Sequence, residues 1–150
     1  MIDAVVLLRL RRFLLTTSAL LFAGTLGELW LINHTEDVVQ YLPFVLCGLG
    51  LLVLLVVWLR PRRAMMLALR AMMALVVLGS LIGVYLHVES NLAFLREINP
   101  NAPAREAVFG ALGGANPLLA PGILALAAML ALAATYYHPA LKKGAEAETD

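Results

Sequence analysis

Two residue pairs stand out as groups able to do chemistry. His34 and Glu36 sit two residues apart, as do His87 and Glu89, and 87 − 34 and 89 − 36 both give 53. Imidazole and carboxylate together form the ligand chemistry of divalent transition metals, and two of each at one depth would supply four donors. The expectation is therefore a metal, proton or cation site at His34, Glu36, His87 and Glu89, with histidine changing charge near neutral pH. The same two imidazoles, placed on either side of an iron, would hold a non-covalent haem b. The only cysteine is Cys47, so there is no covalent haem attachment motif, disulfide framework or thiolate zinc site within the chain.

Glu28 lies six residues before His34, which is about 9 Å deeper along a helix rising 1.5 Å per residue. A carboxylate inside an apolar run is costly and is read first as functional. Ser80, at a similar depth in the third apolar run, is the candidate hydrogen-bond partner. Arg70 is six residues into that third run and is expected to snorkel toward the nearer headgroups. Met65, Met66, Met72 and Met73 form two pairs seven residues apart and read as packing on one helix face. No Ser/His/Asp or Cys/His set shares a depth, so no catalytic residue is assigned and no enzyme activity is expected.

These side chains are carried by an unusually apolar chain. Its 150 residues are 62% hydrophobic and 14% charged, with a mean hydropathy of +0.88; soluble proteins have roughly 45–50% apolar residues. Four runs near the ~20 residues needed to cross a bilayer lie at 13–33, 38–58, 64–86 and 117–137. The expected fold is all-α, a single integral membrane four-helix bundle. Between the third and fourth runs, 88–116 reads as an outer loop of short amphipathic helices. Asn91 would cap the first, and Ala104 to Leu112 would form the second. Asn116 and Pro117 read as the start of the fourth span, and 142–150 as a disordered tail.

Sequence likeness extends beyond the His/Glu pairs. Leu42-Pro43-Phe44 aligns with Ala120-Pro121-Gly122, and Arg60-Pro61 with His138-Pro139. This suggests two duplicated helical hairpins related by an axis along the membrane normal. Ala19, Ala23 and Gly27 in the first run, Gly79 and Gly83 in the third, and Ala127, Ala131 and Thr135 in the fourth form small-residue faces that allow close helix approach.

Net charge is only +1, but its distribution is uneven. Arg9, Arg11, Arg12, Arg60, Arg62, Arg63, Arg70, Lys142 and Lys143 fall on one side of the proposed bilayer, and Arg96 and Arg105 on the other. By the positive-inside rule both termini are cytoplasmic, and Ala/Leu/Arg-rich usage suits a bacterial inner membrane. The leading functional expectation is a structural or accessory subunit, with the lipid bilayer and other membrane proteins or further copies of the chain as partners. Nucleic acid is not expected among them. Cation, proton or metal binding or transport at the His/Glu vestibule is the alternative, and haem b electron transfer the third.

Overall fold

The computed structural model describes residues 2–142, and among them every regular element is helical. In chain order these are α1 (Ile2–Leu31), a 3-10 turn (Val38–Tyr41), α2 (Leu42–Leu59), α3 (Arg63–Ile98), α4 (Ala104–Leu112), α5 (Leu119–Ala134) and α6 (Pro139–Lys142). The expected tail lies, beyond residue 142, outside the described residues. Two segments, Val38–Leu59 and Arg63–Ile98, are long and apolar enough to cross a membrane. The first expected span falls inside the 30-residue α1, and the fourth shortens to the 16 residues of α5.

Helix ends follow local chemistry. α1 closes in a Schellman motif: Asn33 takes φ 51°, His34 N–H donates to Leu29 O (3.0 Å) and Asn33 N–H to Trp30 O (3.2 Å). Asp37 and Gln40 then form a capping box that starts the 3-10 turn. Pro43 and Pro121 occupy the first turns of α2 and α5, where a missing N–H costs nothing.

The four long helices pack in a closed ring, α1 against α2 and α5, and α3 against α2 and α5. Heptad-like spacing selects the inward faces: Ser18, Phe22, Thr25 and Leu29 on α1; Cys47, Gly50, Leu54 and Val57 on α2; Met66, Leu69, Met73, Val76 and Ser80 on α3; Leu124, Ala127, Ala128 and Ala131 on α5. Leu52, Leu55, Leu75, Leu78, Leu81 and Leu126 point outward, so large apolar side chains cover the exterior as well as fill the interior. An apolar exterior suits helices solvated by hydrocarbon, where close backbone approach contributes to packing. Ser18 Oγ donates to Ala127 O at 2.8 Å across the α1–α5 seam. Gly79 lies against Leu46 of α2, and Gly83 against Pro121 of α5.

Several expectations are corrected. Ala23 and Gly27 face outward, and a Cβ added to Gly27 would meet nothing within 4 Å; Phe22 and its heptad partners pack instead. α3 runs unbroken through 88–98, because no proline or glycine interrupts it before Asn99-Pro100. Asn91 therefore caps nothing and is a buried residue within α3. Its Nδ2 donates to Ala111 O and Asn116 O, both at 2.9 Å, and its Oδ1 accepts from Asn116 N–H at 2.8 Å. Asn116, held this way, does not cap α5, which begins at Leu119. The second short helix forms over Ala104–Leu112 as expected.

The opposite end is closed by arginines. Arg11 NH2 donates to Tyr136 O (3.1 Å) and Tyr137 O (2.9 Å). Arg70 Nε donates to Thr135 Oγ1 at 2.9 Å, so Arg70 bridges to α5 instead of only snorkelling. Both cations meet the carbonyl end of α5, where the helix dipole favours positive charge.

Candidate functional site

The end of α1, the stretch 79–90 of α3 and the starts of α2 and α5 meet around a cavity of about 650 Å³. Its walls are mostly apolar, including Leu29, Leu42, Leu46, Leu86 and Leu124, and its polar groups include Glu28, His34, Asp37, Ser80, His87 and Asn116. A volume of this order is that of a small-molecule site.

Each expected site residue has a definite place. His34 sits in the turn that ends α1, half-buried, and lines the cavity. Burial lowers its pKa, nearby His87 lowers it further, and Glu36 partly offsets both. His34 is therefore neutral at pH 7. His87 lines the cavity from α3, and its buried Nδ1 has no hydrogen-bond partner. Glu89 is exposed and does not line the cavity, because residues two apart on a helix point about 200° apart. Glu36 is exposed, with its backbone N–H donating to Gln40 Oε1 at 2.7 Å.

The two His-x-Glu segments consequently differ in backbone, one a post-helical turn and the other mid-helix. The structure brings the two imidazoles to one cavity and leaves Glu36 and Glu89 at its exterior. Among the described residues no three His, Cys, Asp or Glu side chains are grouped to hold a metal ion.

Glu28 projects from the last turns of α1 into the cavity and has neither a hydrogen bond nor an ion pair. Ser80 is buried nearby, but its hydroxyl donates to Val76 O in its own helix at 2.8 Å. Glu28 is thus an exposed carboxyl group without a protein partner, beneath two imidazoles. Below this level the ring is filled by Phe22, Met73, Ala127 and Ala128, all fully buried. The arrangement can hold a ligand with an apolar body and a positively charged or proton-donating group.

Sequence reasoning missed Asp37, Thr25 and Asn116 as cavity residues. The spacing of Asp37 and Gln40 is a readable capping signature that places Asp37 at a chain reversal. Thr25 follows Ser18 by seven residues on the inward face of α1. Nothing local marks Asn116, whose position depends on Asn91, 25 residues away.

Compared with protein-family models, with curated proteins and with solved structures, the chain shows no match.

Proposed function

We propose that this chain is a small integral membrane protein whose four long helices cross a bacterial inner membrane with the arginine-rich end in the cytoplasm. Its function in this reading is to bind an organic cation in the outer cavity. Glu28 is the observation that carries it: a carboxylate without a partner, set in an apolar-walled cavity too large for a bare ion. Charge asymmetry supports it, since Glu28, Glu36, Asp37, Glu89, Glu97 and Glu106 belong to that end against Arg96 and Arg105. Neutral His34 adds no positive charge to offset these carboxylates.

Ethidium, an aromatic cation with a fluorescence readout, tests this on detergent-solubilised protein. The parent is expected to bind it saturably, and Glu28→Gln to weaken binding at least tenfold, about 1.4 kcal/mol. Equal affinity in the two proteins would remove the proposal. Affinity should also fall as pH drops through the lowered pKa of His34, because the ring then gains charge beside the bound cation. His87 on α3, Glu28 on α1, and Glu36 and Asp37 on the adjoining turn are the ionisable groups facing it.

A second reading, an accessory subunit within a larger membrane assembly, is favoured by the outer face of α1. Ala23 and Gly27 are exposed there, beside Leu20 and Trp30. Such a face lets a neighbouring helix approach closely. Gly27→Cys in a Cys47→Ala background is expected to form a disulfide-linked adduct in native membranes. Monomer alone, with the new thiol fully alkylated, would count against an assembly through this face.

A further inference from the structure

At the arginine-rich end lies a second, smaller cavity of about 140 Å³, several times the roughly 30 Å³ share of one water molecule. It is bounded by α1, by the α2–α3 turn and by the segment that follows α5. Its polar lining consists of Arg11, Arg12, Thr135 and His138, and Trp58 and Pro61 form part of the apolar wall.

Three groups there have N–H bonds to give. Arg11 is 9% exposed, and although its NH2 is committed to the carbonyls after α5, its buried Nε has no partner. Arg12 is exposed beside it, and its guanidinium makes no hydrogen bond or ion pair. His138 Nδ1 accepts from Ala140 N–H at 3.2 Å, which leaves the proton on Nε2. Burial, and secondly the charge of Arg11, hold the ring neutral. Asp3 is the one acidic residue described at this end, against Arg9, Arg11, Arg12, Arg60, Arg62, Arg63 and Arg70. The carbonyls just after α5 that would repel an anion, those of Thr135, Tyr136 and Tyr137, already accept from Arg70 and Arg11.

We propose that this cavity binds a phosphate oxyanion, with Arg11 Nε, Arg12 and His138 Nε2 as its donors. Leu8, Leu15 and Trp58 flank the donors with apolar surface, which suits a phosphate ester at the membrane boundary, as in the headgroup of an anionic lipid. The apolar wall then contacts the first carbons of the esterified glycerol, and the acyl chains leave sideways into the bilayer. Free phosphate would use the same donors without engaging that wall.

Trp58 offers a local reporter. In a Trp30→Phe background it is the only tryptophan, and phosphatidylglycerol brominated on its acyl chains quenches it when bound. In phosphatidylcholine vesicles the expected result is at least a fivefold preference for brominated phosphatidylglycerol over brominated phosphatidylcholine. Arg12→Gln should reduce that preference to about twofold or less. Arg62→Gln removes the same charge from the same end without touching the cavity, and should leave it unchanged. Equal losses in the two variants would reduce the effect to general surface charge and overturn the site, as would equal quenching by both lipids in the parent. Inorganic phosphate is the second arm. Relief of quenching at millimolar phosphate, abolished by Arg12→Gln, keeps the oxyanion site and assigns free phosphate as its occupant; no relief, with the lipid preference intact, assigns the lipid.

Discussion

Arg11→Met lowers stability by about 2–4 kcal/mol, the expected cost of removing a charged donor from two carbonyls that then have no partner. The acceptors are Tyr136 O and Tyr137 O, which lie beyond the last turn of α5 with Tyr137 at φ 49°. Arg11 is 9% exposed, so its side chain is almost wholly enclosed. The helix dipole adds to the loss, since a positive charge leaves the carbonyl terminus. Arg70→Met is the internal comparison. Arg70 is exposed and meets the same terminus through Thr135, so its replacement should cost about 1 kcal/mol or less. Thermal midpoints in detergent measure both, and an Arg11→Met midpoint equal to the parent's would contradict the capping role.

The second large effect is expected at Asn91. Its side-chain amide makes three hydrogen bonds to backbone groups of Ala111 and Asn116, and Gly114 packs so closely that an added Cβ would lie within 2.8 Å of Asn91 Cγ, Oδ1 and Cβ. Asn91→Ala keeps the helix but strands two carbonyls and one N–H, at a cost of about 2–4 kcal/mol. The loss falls on α4 and on the link into α5, which this amide ties to α3. Hydrogen exchange over residues 104–118 should accelerate at least tenfold while the ring of long helices stays protected. Because Ala115, Asn116 and Pro117 line the outer cavity, ethidium binding should weaken in the same variant. Unchanged exchange in that segment would show that α4 is held by other contacts.

Much of this architecture can be read from local sequence. Prolines 43 and 121 fix helix starts, Asn99-Pro100 stops α3, and Ala104 to Leu112 forms the short helix its apolar spacing suggests. What the long runs do not disclose is which face turns inward. A water-soluble helix announces its core by being apolar on one side, whereas here Leu, Val and Ile cover the outside as well. The seven-residue recurrence of inward positions distinguishes the interior, as at Ser18 and Thr25, or Met66, Met73 and Ser80. The exposed Ala23 and Gly27 show that smallness alone does not identify a packed face within the chain.

The candidate sites divide the same way. Residue type and depth alone singled out Glu28, His34 and His87, because ionisable groups are rare in such a chain and each is expensive to place. Helical rotation then decided which could meet: two residues of helix carry Glu89 away from His87, while the left-handed turn at Asn33 brings His34 back over the cavity. The pairing of Arg11 with the end of α5, and of Asn91 with Asn116, was decided only by tertiary structure. Those partners are 125 to 126 and 25 residues apart, and a hydrogen bond at that separation exists only once helix packing has fixed both groups in space.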